Sequence, residues 1–186
     1  MDEWIVTYVD GKIAAITRDF KAFANIAREV AGMPASSAPS EIHSGRIKTE
    51  ELLMMATTLR WEDLRLFGTK FQKAVWKQLF DLVHGPEGDY HPPLGLYSYS
   101  DFASICANPG VRSVAHAVAL NPVTFVIPCH LIVPKETIDK INEIEAGAKD
   151  TLFKGEDLYL LDTIDVGQYS AGSPDLKRWF IAAQLG

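Results

Sequence analysis

An apolar run in this chain breaks in its own middle. VTFVIPCHLIV, Val123 to Val133, carries Pro128, Cys129 and His130 where a buried strand would carry more branched aliphatics. Proline cannot donate to a strand ladder, so the run does not read as one continuous central strand. A lone cysteine in such surroundings is most often a small buried hydrophobe. On this segment alone, Cys129 can be packing or chemistry.

The rest of the chain narrows the choice. Its 186 residues fit one large domain or two small ones. With 47% hydrophobic and 23% charged residues it reads as an ordinary globular protein. The N-terminus, MDEWIVTYVDGK, lacks the basic and apolar regions of a signal peptide. No window approaches the ~18 consecutive apolar residues of a membrane span. Cys106 and Cys129 have no C-x-x-C spacing, which argues against a zinc ribbon or a disulfide scaffold and for the reducing cytoplasm. A net charge of −6 speaks against nucleic-acid binding unless the charge is unevenly placed.

WIVTYV (Trp4–Val9) and KIAAIT (Lys12–Thr17) flank Asp10-Gly11, a two-residue hairpin signal. Phe20, Phe23, Ala24, Ala27 and Val30 then share one helical face that ends at Gly32. MPASSAPSEIHSG, Met33–Gly45, reads as a loop, and Thr49 opens a short helix. Residues 1–62 are expected to form a small α+β domain without chemistry of its own. Beyond it, DLRLF (Asp63–Phe67) is strand-like, and Thr69 is an N-cap for KFQKAVWKQLFDLV. Phe71, Val75, Leu79 and Leu82 make that helix's apolar stripe, with Lys70, Lys73 and Lys77 on another face. His84–Gly95 is a loop. Tyr99–Asn108 and Val111–Leu120 read as two helices around Pro109-Gly110, a helix-turn-helix pattern with Arg112 opening the second helix.

Taken in order, GTKFQKAVW (Gly68–Trp76), SYSDFA (Ser98–Ala103), NPGVRSV (Asn108–Val114), NPVTFVIPCHLIV (Asn121–Val133) and GQYSAG (Gly167–Gly172) resemble one family. They look like the 6-O-alkylguanine-DNA alkyltransferases, or methylated-DNA–protein-cysteine methyltransferases. The resemblance runs from about residue 68 to 179, with one long interruption. It implies an α+β fold, with a small N-terminal ribonuclease-H-like α/β unit followed by a mainly helical, winged-helix-like DNA-binding and alkyl-transfer domain over 63–186. It implies a monomeric, single-turnover DNA-repair protein acting on double-stranded DNA bearing 6-O-alkylguanine, with no cofactor, metal or membrane. Under it, Cys129 takes the alkyl group from a flipped base, and His130 acts as a base through a water held by an acid. Tyr99 donates to the purine ring, and Ser170, beside Tyr169, donates to the departing oxygen. Asn121 ties the turn before the active-site strand, and the backbone around Cys129 and Ile132 recognises the exocyclic amine. Arg112, next to Ser113, fills the gap left in the base stack.

The chain also departs from that family. Leu131 stands where arginine is common, and Ala115-His116 where small glycines are usual. Gln184 falls where the acid of the histidine chain belongs, and a neutral amide can orient a water but cannot stabilise an imidazolium. The largest departure is an acidic insertion at about 136–166, with nine acids against three lysines. That is the whole net charge, so the remainder is neutral and can still present Lys70, Lys73, Lys77, Arg112 and Lys135 locally. Ile138, Ile141 and Ile144, and Leu158, Leu160 and Leu161, suggest that the insertion packs. Two other functions compete with alkyl transfer. A non-catalytic alkylated-DNA-binding protein would recruit other repair factors. A Cys-His hydrolase suffers because adjacent strand residues point to opposite faces.

Overall fold

A computed structural model describes residues 3–85, 88–108, 110–147 and 162–185. Asp10 and Gly11 both take positive φ, 49° and 74°, the geometry that a tight hairpin with native twist requires. The turn folds Glu3–Val9 (β1) back on Lys12–Thr17 (β2). Ile42–Lys48 (β3) pairs antiparallel with the other edge of β1, giving the order β2-β1-β3. The expected loop therefore ends four residues earlier than its composition suggests. An edge strand buries little, and Ser44-Gly45 mask it as a turn.

Lys21–Ala31 (α1) and Thr49–Thr58 (α2) follow β2 and β3, burying Ile26 and Leu52 with Ala56 respectively. Asp63–Phe67 is not a strand. Only Leu64 bridges to Ile13, while the Arg65 amide donates to the Ile13 carbonyl at 2.8 Å. Gly68 then lies so near the Trp76 ring that an added Cβ would sit 2.7 Å from it. Lys70–Asp81 (α3) begins at Thr69, whose hydroxyl accepts from the Gln72 amide while the Gln72 side chain accepts from the Thr69 amide, a capping box. Its buried face is Val75, Trp76, Leu79 and Phe80, whereas Phe71 is exposed. The stripe is thus rotated from the expected one, because Trp76 is the side chain that reaches inward.

Tyr97–Ser98 (β4) pairs in parallel with Ile132–Val133 (β5). Tyr99–Ile105 (α4) and Val111–Ala119 (α5) stand between them in sequence. α4 stops before Asn108, since Ala107 adopts φ 49°, and Pro109 of the connecting turn lies outside the described residues. The Trp76 indole donates to the Ala117 carbonyl at 2.8 Å in a buried bond that fixes α3 against α5.

Lys135–Gly147 (α6) begins the acidic insertion, and Pro174–Leu185 (α7) closes the chain. Ile141 of α6 packs with Val133, Ile164, Val166 and Ile181 in a second small core, with Ile138 and Ile144 against it. Arg178 of α7 donates twice to the Ile164 carbonyl. Both stems of the insertion are therefore docked; Leu158, Leu160 and Leu161 lie outside the described residues. The main core is continuous from Trp4, Val6 and Ile16 to Val126, Ile127 and Phe180. Val123 bridges to Ile16, whose amide donates to the Pro122 carbonyl at 2.9 Å, so the N-terminal sheet seats the Cys129 segment.

Candidate active site

The Cys129 segment is barely a strand. Val123 to Ile127 turns through Phe125, which is held at φ 69°, a left-handed conformation that a bulky residue adopts only when packing imposes it. Phe125 stacks on His130 with centroids 5.1 Å apart and packs at a tilt against Phe180 at 4.7 Å. Cys129–Leu131 forms one 3₁₀ turn before β5. Adjacent Cys129 and His130 consequently diverge, one toward a cavity and the other into the core.

Asn121 organises the turn. Its side-chain amide donates to the Ile127 carbonyl at 2.8 Å and to Cys129 Sγ at 3.1 Å, and its oxygen accepts from the Val123 amide. Cys129 is only 5% exposed, yet it lines a cavity of about 240 Å³ with Tyr99, Val118, Ala119, Gln168, Tyr169, Ser170 and Lys177. Burial pushes the thiol's pKa up, and Asn121, Tyr169 and Lys177 partly oppose that shift. Among the described residues the buried Tyr169 hydroxyl has no partner of normal hydrogen-bond geometry, although it faces the thiol closely enough to influence it. Burial also raises the pKa of Tyr99, and the neighbouring Cys129 adds to the shift.

His130 is fully buried, and its Nε2 and the Gln184 Oε1 lie 2.5 Å apart. Among the described residues the Nδ1 of the ring has no partner. Burial holds its pKa down to about 3 against the help of Gln184, so the ring is neutral. Gln184 thus lies directly against His130 and supplies no charge. Ile132 lies outside the cavity lining, and its carbonyl accepts from Lys177 Nζ at 2.8 Å. The Cys129 carbonyl accepts from the Ile132 amide. Arg112 and Ser113 border a different cleft, beside Thr69, Phe71 and Gln72. Lys77 is committed to Asp81 at 2.5 and 2.7 Å.

The residue that sequence reading missed is Lys177. It is 1% exposed and shares the buried face of α7 with Phe180, Ile181 and Gln184. A lysine spaced four and seven residues before buried side chains, in an otherwise apolar stripe, was the available signal. Burial lowers its pKa to about 8, opposed by Cys129 and Asp165.

A protein of Acanthamoeba polyphaga mimivirus named "Probable methylated-DNA--protein-cysteine methyltransferase" is 42% identical over 74 residues, 39% of this chain and 44% of that one. The methylated-DNA–protein-cysteine methyltransferase of Haemophilus influenzae is 37% identical over 70 residues, 37% of this chain and 34% of its own. By sequence, the chain is a relative of the methylated-DNA–protein-cysteine methyltransferases. It spans less than half the length of each of these curated relatives. No family model matches. In fold, the chain is similar to the O6-methylguanine-DNA methyltransferase of the archaeon Pyrococcus kodakaraensis, with TM-score 0.55 and 19% identity over 98% of this chain and 91% of that one. The mixed α/β architecture is therefore shared. Among the described residues there is no group of three or more metal-ligating side chains and no helix long and apolar enough to cross a membrane.

Proposed function

We propose that this chain is a single-turnover DNA-repair protein that moves the alkyl group of 6-O-alkylguanine in duplex DNA onto Cys129. The observation that carries the reading is a cysteine at the wall of a cavity, bonded by Asn121, in a chain that is similar over 74 residues to a protein named a probable methylated-DNA–protein-cysteine methyltransferase. The Sγ–C bond forms as the C–O bond breaks, and the electron pair stays on the purine oxygen. The proton given up by the thiol ends on the guanine, so the products are a thioether and an intact base. Tyr99 and Ser170 line the cavity where donors to the purine ring and its oxygen are needed. Arg112, exposed on α5, is the residue proposed to fill the stack when the base leaves it.

The finer architecture belongs to the same proposal. Residues 1–62 would be a ribonuclease-H-like unit and 63–186 a winged-helix-like DNA-binding domain, in a monomeric, cytoplasmic protein. A second reading, a non-catalytic binder of alkylated DNA, draws support from the neutral Gln184 and the raised thiol pKa. One experiment separates them. After incubation with methylated duplex, intact mass spectrometry should show one added methylene per molecule, located on Cys129. Tight binding without added mass would establish the second reading instead.

A further inference from the structure

Cys129 must lose its proton to react, and it does so inside the protein, where an uncompensated charge is costly. His130 is badly placed to carry the balancing charge. Its ring is sealed between Phe125 and Phe180, and its one partner is an amide. Among the described residues no carboxylate is bonded to it. Lys177 is placed well. Lys177 lines the same cavity as Cys129, its ammonium donates to the Ile132 carbonyl, and among the described residues no carboxylate is in ion-pair contact with it.

We propose, resting on the transfer reading above, that the buried Lys177 ammonium is the charge partner of the Cys129 thiolate, and that His130, bonded to Gln184, stays neutral throughout. The remaining titratable groups around the thiol cannot take this role. Tyr99 and Tyr169 are neutral phenols that burial holds neutral, and Asp165 bears a charge of the wrong sign. Arg18 acts on Tyr169. The lysine and the thiol favour each other's charged forms, the ammonium drawing the thiol down and the thiolate drawing the lysine up. In the reaction Lys177 keeps its own proton, and the proton released by Cys129 goes to the guanine.

The test reads the thiol directly. In Cys106→Ser protein, Cys129 alkylation by iodoacetamide is followed against pH by intact mass. Lys177→Met should raise the midpoint by about one unit or more, a loss of roughly tenfold or more near neutral pH. An unchanged midpoint in folded Lys177→Met protein overturns the proposal. Should that variant not fold, the unsubstituted protein serves. The ¹³Cε resonance of Lys177 should titrate at lower pH once Cys129 is carbamidomethylated, and an unmoved titration overturns the proposal. Nitrogen-15 spectra should keep His130 neutral from about pH 5 upward; an imidazolium appearing as Cys129 ionises also overturns it. Iodoacetamide reacts with the thiol whatever the natural substrate, so failure on methylated duplex alone would count only against the function proposed above.

Discussion

The chain buries two imidazoles in closely similar ways, and only one of them adjoins the thiol proposed to react. His84, at the end of α3, stacks on Phe80 with centroids 3.7 Å apart, and its Nδ1 bonds to the Phe80 carbonyl at 3.0 Å. His130 stacks on Phe125 and bonds to Gln184, 54 residues away. Burial lowers both pKa values, and each ring keeps one nitrogen without a partner of normal geometry. Burial and a shifted pKa are therefore shared by a helix-end histidine and a candidate-site histidine. The difference lies next door: His130 is followed across one turn by a cavity holding a thiol and an ammonium, and His84 has neither.

The largest effect that would break this contrast concerns the two cysteines. Cys129→Ser should bind methylated duplex and gain no mass, while Cys106→Ser, at the half-buried C-terminal cap of α4, should transfer normally. An alkyl group found on Cys106 would move the reactive region elsewhere.

Acid should act on both histidines alike. Each has a folded pKa below its unfolded value near 6.5, so the unfolded chain binds more protons. Stability is then fully present above about pH 6.5 and falls as pH drops toward the folded values. For His130, with a folded pKa of about 3, the loss by pH 4.5 is on the order of 3 kcal/mol. Urea unfolding across this range measures it, and His84→Leu and His130→Leu should each flatten the slope. A slope untouched by either substitution would show that carboxylates alone set acid stability.

Arg112→Ala sharpens the contrast at the DNA face. Reaction with methylated duplex should weaken by about 1–3 kcal/mol, the scale of unstacking a base, while reaction with free alkylated guanine should barely change. Equal losses would mean that Arg112 supports the fold. A smaller effect should follow from neutralising Glu136, Asp139 and Glu143 on α6. Duplex binding should tighten by a few tenths of a kcal/mol at low salt and not at high salt. No change at low salt would place α6 away from the phosphates.

What could be read from the sequence was whatever depends on local rules. Asp10-Gly11 specifies its hairpin, Thr69 its capping box, and the ordered motifs around Cys129 the sheltered thiol beside Tyr99, Tyr169 and Ser170. What escaped depends on partners far along the chain. β3 exists because β1 offers an open edge, not because IHSGRIK demands a strand. Lys177 is buried because β5 presents the Ile132 carbonyl to it, 45 residues away. Phe125 endures its left-handed backbone because His130 and Phe180 clasp its ring. Composition along one segment cannot reveal any of these.

The bridge between Ile16 and Val123 has a further consequence, for aggregation. β2 is an outer strand, and an outer strand with free amides and carbonyls recruits other chains. Here Leu64 and Val123 each occupy part of that edge, through Ile13 and Ile16. The segment that carries Cys129, the proposed nucleophile, thus also shields the sheet from its neighbours in solution. Any event that loosens this segment exposes a sticky edge together with the thiol, so the protein's chemistry and its solubility share one latch.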